Sequence, residues 1–291
     1  MKLADLFSGY ADIRITGNSE TEVSGIAVDS RKTQKGDLFV ALAGRKTDGK
    51  LYAQDAIGRG AAAVAFEMDE RIEGVPTVFC PQARGRLGTI SSKVYGEPSH
   101  KMRVVGITGT NGKTTTAHIV EAIVKEAGRN PGYVGTTGYR WNRATRDAFH
   151  TTPEAPELQF MLRKMADDGV TDVTMECSSH GLELGRLVGI AFDVGVFMNL
   201  TQDHLDFHST WDGYRAAKWK LFSELLVQSP KGARWAVFNI DDSTGRDWAK
   251  KTALPVLTFS VHASKEASVC PVERILGANG IDAKILVRGK E

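Results

Sequence analysis

The chain contains few cysteines, and their spacing forms no recognisable pattern. Cys80, Cys177 and Cys270 are the three in 291 residues, and they lie far apart. An odd number at such distances indicates neither a disulfide framework nor a CxxC metal site. We therefore expect buried free thiols and a reducing, cytoplasmic compartment.

An excess of one charge and long apolar runs are also lacking. The 37 basic and 35 acidic residues give a net charge of +2, and the basic residues are dispersed. This balance argues against broad electrostatic binding to nucleic acid or to a membrane. No apolar run approaches the length of a membrane span, and the first residues lack the apolar core of a secretion signal. With 42% apolar and 25% charged residues, the sequence is typical of a globular protein long enough for two domains.

The most informative segment present is the glycine-rich stretch from Gly106 to Thr115. It follows a short apolar run and leads into residues 117–124, whose apolar positions recur at helical spacing. Strand, glycine-rich turn, Gly-Lys-Thr and helix together are typical of nucleotide-phosphate binding, because backbone N–H groups and the helix N-terminus point at the phosphate oxygens. In the usual G-x-x-x-x-G-K-[ST] pattern the lysine reaches the terminal phosphates and the hydroxyl holds Mg²⁺. Ile107 departs from that pattern, since it stands where the first glycine is expected.

The hydrophobic pattern predicts two α/β domains, 1–82 and 83–291. In the first domain the predicted strands and the intervening helix are 25–28, 38–41, 52–57 (helix), 62–66 and 77–80. A helix-compatible stretch, 83–95, follows the break at Pro81. After the glycine-rich turn, the predicted helices and strands alternate: 158–165 (helix), 170–175, 193–198, 214–226 (helix) and 233–239. Such alternation favours a mostly parallel sheet with helices on both faces, which binds ligands at the carboxyl ends of its strands.

A polar cluster beginning at Glu176 follows one of these strands. Glu176 could ligate Mg²⁺ as a hard oxygen donor. Alternatively, it could be a negative charge at a helix N-terminus beside a serine cap, and the residues alone leave both interpretations open. A third interpretation pairs Ser178 or Ser179 with His180 as nucleophile and base. It is disfavoured, because no G-x-S-x-G elbow surrounds these residues.

A second polar cluster, residues 199–208, follows the next strand. His204 and His208 are four residues apart, a spacing that on a helix could bind zinc, although spacing alone favours a solvated polar loop. The cluster gains weight because it should lie at the same sheet edge as Lys113 and Glu176. Lys218 lies on a predicted helix, and its type and position predict only a solvated surface residue.

Taken together, these segments resemble the Mur ligases, ATP-dependent enzymes that form amide bonds in peptidoglycan synthesis. The segment from Gly109 to Thr115 is similar to the phosphate loop of that family, which accounts for the departure at Ile107. The matching segments, in order, are Asp29-Ser30-Arg31, Gly36 to Ala41, Asp48-Gly49, Thr151-Thr152-Pro153, Glu176 to Leu182 with Arg186, and Asn199 to Asp206. The first three resemble the uridine-binding N-terminal domain of the members that add the third amino acid to UDP-N-acetylmuramoyl-L-alanyl-D-glutamate.

The resemblance implies a role for individual residues in binding ATP and Mg²⁺. Lys113 would bind the β- and γ-phosphates, and Thr114 and Glu176 would hold one Mg²⁺. His204 and Lys218 would serve a second Mg²⁺, with Lys218 carbamylated. The implied catalytic residues are therefore Lys113, Glu176, His204 and Lys218. The implied nucleotide-binding residues are Gly109, Thr110, Asn111, Gly112, Lys113, Thr114 and Thr115.

The resemblance also implies two groups of substrate-binding residues. Those facing the uridine diphosphate end would be Val28, Ser30, Arg45, Lys46 and Thr47. Those holding the muramoyl-dipeptide would be Thr151, Thr152, Ser178 and Arg186. Leu184 departs from the family pattern, because some relatives carry a polar substrate-contacting residue at that position.

The implied reaction joins UDP-N-acetylmuramoyl-dipeptide to an amino acid, diaminopimelate or lysine. The D-glutamyl carboxylate would attack the γ-phosphate of ATP to give an acyl phosphate, and the incoming amine would then displace phosphate. We expect a cytoplasmic monomer. Members of the family also carry a third, carboxyl-terminal ligase domain that is absent from this sequence. We therefore expect a fragment that binds the UDP substrate without forming the amide bond, the alternative being a shortened, non-catalytic nucleotide- or UDP-sugar-binding relative.

Overall fold

The computed structural model describes residues 1–44, 48–262, 264–278 and 280–288. The chain divides into two compact units. The first comprises Met1–Lys101, Glu154–Asp167 and Gly185–Ile190, and the second comprises Met102–Pro153, Asp168–Leu184 and Ala191–Glu291. The division into domains 1–82 and 83–291 stays a prediction, and residues 83–101 lie in the first unit.

The first unit is built on a sheet of five strands among its described residues. The strands are β1 (Arg14–Thr16), β2 (Gly25–Ala27), β3 (Asp37–Ala41), β4 (Ala63–Phe66) and β5 (Thr77–Phe79). Their order is β1-β5-β4-β3-β2; β2 to β5 run parallel, and β1 is antiparallel to β5. Every residue of β3 is buried, because Leu38 and Val40 pack into one apolar cluster and Phe39 and Ala41 into another. Alternate residues of a strand face opposite sides, so the sheet is covered on both faces.

The second unit is built on a larger, mostly parallel sheet with ten strands among its described residues. The strands are β6 (Arg103–Thr108), β7 (Pro131–Gly135), β8 (Gly138–Trp141), β9 (Ala144–Arg146), β10 (Asp172–Glu176), β11 (Val194–Phe197), β12 (Trp235–Asn239), β13 (Val256–Phe259), β14 (Val269–Gly277) and β15 (Gly280–Val287). Their order is β15-β14-β13-β12-β11-β6-β10-β7-β8-β9. The pairs at the two edges, β14 with β15 and β7-β8-β9, are antiparallel.

The centre of this sheet brings three polar segments to one edge. Strand β6 lies between β10 and β11, and Ile107 pairs with Glu176 on one side and Val196 on the other. Because these strands run parallel, the residues that follow each of them open on the same edge.

Helices connect the strands of both sheets, and some of them begin at a capping side chain. They are α1 (Leu3–Leu6), α2 (Ala53–Gly58), α3 (Ala83–Val94), α4 (Lys113–Glu126), α5 (Ala155–Asp167), α6 (Ser179–Glu183), α7 (Leu205–His208), α8 (Trp211–Lys220), α9 (Leu226–Gln228) and α10 (Ser243–Lys251). Three of them start at a side-chain oxygen that accepts a backbone N–H: Ser178 for α6, Thr210 for α8 and Asp242 for α10. A π-helical turn, Leu221–Leu225, joins α8 to α9.

The predicted α/β class with a mostly parallel second sheet is confirmed. The sequence prediction missed β1, the β7 to β9 extension and the β13 to β15 edge. Strand β7 begins at Pro131 and contains two glycines, a composition that weakens the strand signal. The three cysteines are buried and free, as expected. Over the described ranges, the helices are too short or too polar to cross a membrane.

Candidate functional site

The turn between β6 and α4, residues 109–112, requires glycine at two positions. Gly109 has a φ of 152° and Gly112 a φ of 86°, values that side chains rarely permit. A Cβ built on Gly109 would also lie 2.8 Å from the Cβ of Met198. The turn therefore packs directly against the chain that leaves β11.

Residues 199–201 hold this turn in place. The Asn199 side chain accepts a hydrogen bond from the Asn111 backbone N–H (2.9 Å) and donates one to the Asn111 carbonyl (3.1 Å). The Thr110 hydroxyl is 3.1 Å from the Tyr214 hydroxyl and donates to the Thr201 carbonyl. The conformation of the turn is thus fixed by the protein itself, which is the preorganised state that an anion site needs.

Two lysine side chains converge on one carbonyl of the turn. Lys113 Nζ donates to the carbonyl oxygens of Gly109 (2.8 Å) and Thr110 (2.9 Å), and Lys218 Nζ donates to the Gly109 carbonyl at 3.0 Å. Lys218 is only 1% exposed, and its Nζ lies 4.5 Å from the centre of the Tyr214 ring. The expectation of a solvated surface lysine at position 218 is therefore wrong.

Burial changes the protonation of both amines. Burial, together with the nearby Lys113 ammonium, lowers the pKa of Lys218 to about 7. Burial also lowers the pKa of Lys113, and the Glu176 carboxylate opposes that shift. Desolvation disfavours the charged form of an amine, so a large fraction of Lys218 is neutral near neutral pH. A neutral amine has a lone pair available for reaction, whereas an ammonium does not.

The Glu176 carboxylate is buried at the end of β10 and held by four hydrogen bonds. Its Oε1 accepts from the Thr114 hydroxyl (2.8 Å), the Tyr133 hydroxyl (2.5 Å) and the Thr136 backbone N–H (3.1 Å), and its Oε2 accepts from the Thr136 hydroxyl (3.1 Å). Burial and the Glu176 carboxylate raise the pKa of Tyr133 to about 12, so its hydroxyl keeps its proton as a donor. The hydrogen bond to Thr114 joins Glu176 directly to the first turn of α4.

The alternative interpretations of this cluster fit the geometry less well. Helix α6 is capped by the Ser178 hydroxyl, which accepts from the Gly181 N–H at 3.0 Å, while the donors to Glu176 come from α4, β7 and residue 136. Glu176 thus lies beside a serine cap, but its own hydrogen bonds connect it to α4, β7 and residue 136. The Ser178 hydroxyl is also 2.9 Å from the Thr152 hydroxyl, which itself donates to the Glu176 carbonyl. Ser178 is thus engaged in hydrogen bonds with Thr152 and with the N-terminus of α6.

The two histidines at 204 and 208 lie in an aromatic cluster beside Lys218. His204 precedes α7 with a φ of 52° and is 3.5 Å from the Asp203 carboxylate. The rings of His204 and His208 lie 6.1 and 5.3 Å from the Tyr214 ring. Burial and the neighbouring His180 lower the pKa of His208. Over the described ranges, the His, Cys, Asp and Glu side chains form no group of three or more that could hold a metal ion, so the zinc interpretation has no support there.

The residues of the second unit surround a cavity of about 370 Å³. Its lining is Thr110, Asn111, Gly112, Lys113, Thr114, Thr115, Thr136, Thr151, Glu176, Ser178, Ser179, His204 and Lys218. Thr152 lies behind this surface and is bonded to Ser178. The implied metal and catalytic residues, and all of the implied nucleotide-binding residues except Gly109, therefore line one cavity. Its hydroxyl and carboxylate oxygens are the hard donors that suit Mg²⁺, which commonly needs few protein ligands beside water and phosphate.

The first unit has a cavity of its own, of about 990 Å³. Val28 and Ser30 are part of its lining, and its basic side chains are Arg31, Lys32, Lys35 and Arg84. Arg186 also belongs to the first unit, where it forms an ion pair with Glu154 at 2.7 Å. Leu184 is exposed. The implied residues Arg45, Lys46 and Thr47 lie outside the described residues.

Sequence reasoning assigned no role to several residues of the second-unit site. They are Tyr133, Thr136, Ser179, Asn199 and Tyr214. A signal for Thr136 existed in the Gly-Thr-Thr-Gly stretch at 135–138, which follows a strand in the same way as the other clusters. Tyr133 carried no such signal, because an aromatic residue inside a strand is typical of a core.

Two sequence models of one family match the chain. The model described as "Mur ligase middle domain" matches residues 107–278, and the model described as "Mur ligase family, catalytic domain" matches residues 22–109. Several curated relatives are named UDP-N-acetylmuramoyl-L-alanyl-D-glutamate--2,6-diaminopimelate ligase. The one from Geobacillus thermodenitrificans is 38% identical over 94% of this chain and 56% of its own length. The one from Geobacter metallireducens is 42% identical over 91% of this chain and 52% of its own length.

Solved structures are similar to the chain as well. A structure of a UDP-N-acetylmuramoyl-L-alanyl-D-glutamate--2,6-diaminopimelate ligase has a TM-score of 0.84 and 27% identity, covering 100% of this chain and 58% of its own. A MurF ligase from Thermotoga maritima in complex with ADP has a TM-score of 0.60 and 19% identity, covering 92% of this chain and 57% of its own, and shows the shared fold. The chain thus spans a little over half the length of the relatives that it matches.

Proposed function

Because the chain belongs to the Mur ligase family, we propose that it carries the ATP site and the UDP-sugar site of an amide-bond-forming ligase of peptidoglycan synthesis, acting in the cytoplasm. The observation that carries this proposal is the meeting of Lys113, Lys218 and Glu176 around one cavity at the carboxyl edge of the sheet. Phosphoryl transfer depends on positioned cations and oxygen ligands of this kind more than on covalent chemistry by the protein.

The turn at 109–112 and Lys113 bind the phosphates of ATP in this proposal. The backbone N–H groups at the N-terminus of α4 supply partial positive charge, and the Lys113 ammonium neutralises the terminal phosphates. In the structure that ammonium is held by two carbonyl oxygens of the turn itself. A phosphate would replace these neutral acceptors by charged ones, which strengthens the hydrogen bonds.

Thr114 and Glu176 hold Mg²⁺ in this proposal, and His204 with Lys218 serves a second ion. The donor set fits, since hydroxyl and carboxylate oxygens are the ligands that Mg²⁺ prefers. When bound, Mg²⁺ neutralises phosphate charge so that an anionic carboxylate can approach. Lys218 suits such a site only after modification, because an ammonium is repelled by cations and offers no lone pair.

The surroundings of Lys218 support the proposed carbamylation. Carbon dioxide would add to the neutral amine with release of a proton, and burial supplies the neutral form by lowering the pKa of Lys218 to about 7. The carbamate replaces a buried positive charge by an anion with two oxygens. The adjacent Lys113 ammonium then becomes a favourable neighbour instead of a repulsive one.

The larger cavity, in the first unit, binds the uridine diphosphate end of the sugar substrate in this proposal. Val28 and Ser30 in its lining support this role. Lysine and arginine side chains of the lining can pair with diphosphate oxygens, although Arg31 is paired with Asp29. The lining also carries carboxylates, which are Asp29, Asp37, Asp55, Glu154 and Glu157. The roles of Arg45, Lys46, Thr47 and Arg186 toward the substrate rest on the family resemblance. The position of Thr151 and Ser178 in the lining of the smaller cavity supports their muramoyl-dipeptide role. Thr152 lies behind this lining, and its hydroxyl is 2.9 Å from the Ser178 hydroxyl.

The proposed reaction adds 2,6-diaminopimelate, the amine in the names of the relatives, to UDP-N-acetylmuramoyl-L-alanyl-D-glutamate. The D-glutamyl carboxylate takes the γ-phosphoryl group of ATP, and the amine displaces phosphate from the acyl phosphate. The cationic side chains around the cavity lower the repulsion between the two anionic reactants.

Calorimetric titration tests the two binding sites separately. The unaltered chain should bind ADP, and Lys113→Ala should not. Both should bind UDP-N-acetylmuramoyl-L-alanyl-D-glutamate with the same affinity. Mass spectrometry of reactions containing ATP and either diaminopimelate or lysine, run with a full-length ligase that contains this chain, identifies the amine. Absence of ADP binding by the unaltered chain, or lysine as the preferred amine, would contradict the corresponding part of the proposal.

A further inference from the structure

Tyr133 is a buried tyrosine whose hydroxyl is directed at the active-site carboxylate. It lies in β7, is fully buried, and donates to Glu176 Oε1 at 2.5 Å. Its ring packs with Ile107 and Ala117 in the core beneath the site. A phenylalanine would fill the same core space, so core packing alone does not explain the hydroxyl.

The backbone beside this hydrogen bond leaves room for it. A Cβ built on Gly135 would overlap both the Tyr133 hydroxyl and Glu176 Oε1. Gly135 has an ordinary φ, so its lack of a side chain is explained by this close approach and not by backbone conformation. Two positions of β7 are thus fitted to the contact between Tyr133 and Glu176.

The hydrogen bonds to Glu176 are distributed unequally between its two oxygens. Oε1 accepts from Thr114, Tyr133 and Thr136, whereas Oε2 accepts from the Thr136 hydroxyl. A carboxylate oxygen offers about two lone-pair sites, so Oε1 is saturated. Oε2 retains the capacity to bind a cation.

An outer group of polar side chains orients the Tyr133 hydroxyl. The Thr137 hydroxyl donates to the Tyr133 oxygen at 3.2 Å, which directs the tyrosine proton toward Glu176. The Arg140 guanidinium lies 4.6 Å from the centre of the Tyr133 ring and donates to Glu121 at 3.2 Å. His118 is within 3.3 Å of the Thr137 hydroxyl. The direction of this hydrogen bond is therefore set by the protein.

We propose that Tyr133 is a positioning residue for Glu176. The Tyr133 hydroxyl occupies Glu176 Oε1 and leaves Oε2 as the oxygen that binds the metal of the nucleotide complex. This inference rests on the proposed binding of Mg²⁺ and nucleotide at the smaller cavity. Tyr133 itself contacts neither ligand. Its effect should therefore appear in the metal dependence of nucleotide binding and not in nucleotide binding without metal.

The test titrates the chain with ADP at a series of Mg²⁺ concentrations and again in EDTA. For Tyr133→Phe, the Mg²⁺ concentration giving half of the maximal gain in ADP affinity should rise about tenfold, as expected for one lost hydrogen bond to a charged group. The affinity for ADP in EDTA should stay the same. Tyr139→Phe is the matched control, since it removes another buried tyrosine hydroxyl of the same sheet, one that donates to the His150 carbonyl at 2.7 Å.

Each outcome separates this inference from the proposed function. An unchanged Mg²⁺ dependence in folded Tyr133→Phe, or an equal shift in Tyr139→Phe, would overturn the positioning role. If the unaltered chain shows no Mg²⁺-dependent ADP binding, the proposed function fails and this inference fails with it. If Tyr133→Phe does not fold, as judged by circular dichroism, Thr137→Val takes its place. It should shift the Mg²⁺ dependence about threefold in the same direction, and no shift would overturn the inference.

Discussion

Replacing Lys218 by methionine should stabilise the chain and remove part of its pH dependence. Lys218 is 1% exposed, and burial with the Lys113 charge lowers its pKa to about 7. An unfolded lysine titrates near pH ~10.4. Between these two values the unfolded chain binds one more proton than the native chain, so native stability rises with pH by up to about 1.4 kcal/mol per pH unit.

The size of the effect follows from the same pKa. From pH 7 to pH 9 the unaltered chain should gain roughly 2 kcal/mol from this group, and Lys218→Met should gain none of it. The free energy of unfolding of the variant should therefore exceed that of the unaltered chain most at pH 7 and below. Methionine also loses the hydrogen bond to the Gly109 carbonyl. Losing this hydrogen bond lowers the difference in free energy of unfolding between variant and unaltered chain by a constant amount, and it leaves the pH dependence of that difference intact.

Urea denaturation between about pH 6 and pH 9, in buffer free of carbon dioxide, measures this difference. Lys250→Met is the matched control, because Lys250 is an exposed lysine of α10. The free energy of unfolding of Lys250→Met should differ from that of the unaltered chain by the same amount at every pH. If the difference for Lys218→Met were also constant across this pH range, the lowered pKa of Lys218 would be refuted. It would also remove the basis for carbamylation by a neutral amine.

The same variants test the modification directly. In ¹³C-bicarbonate near neutral pH, the unaltered chain and Lys250→Met should give a carbamate carbon signal by nuclear magnetic resonance. Lys218→Met should lack that signal. A signal that persists in Lys218→Met would assign the carbamate to another amine.

Three further predictions concern the phosphate-binding turn. In a full-length ligase containing this chain, Lys113→Ala should lower the rate of amide formation by about 10²–10³ with the affinity for the UDP substrate unchanged, and near-normal kinetics would contradict its role. Gly109→Ala should lower the free energy of unfolding by about 1–3 kcal/mol and abolish ADP binding, because the new side chain combines an unfavourable φ with a contact to Met198. Calorimetry that finds normal ADP binding would show that the turn adapts. Asn199→Leu should weaken ADP binding about tenfold, because it removes both hydrogen bonds between the Asn199 side chain and the Asn111 backbone. Thermal denaturation should show that the variant is folded. An unchanged affinity for ADP would mean that the turn does not need this support.

The sequence by itself was sufficient for the features that depend on neighbouring residues. The phosphate-binding turn is encoded within about ten consecutive residues, where strand, glycines, lysine and helix coincide. The alternation of strands and helices predicts a parallel sheet, and the order of the motifs indicates the family, both of which are confirmed. The roles of the site residues stay predictions, although the structure brings many of them to one cavity.

Tertiary structure decided the features that depend on residues distant in sequence. The sequence left open whether Glu176 is a Mg²⁺ ligand or a negative charge at a helix N-terminus beside a serine cap. The side chains that donate to Glu176 could not be inferred from the sequence, because Tyr133, for example, lies 43 positions away. Lys218 was indistinguishable from a solvated lysine, because its partner carbonyl at Gly109 lies 109 positions away. Its pKa and its capacity for modification arise from burial and from the charge of Lys113, and only the folded chain brings these together.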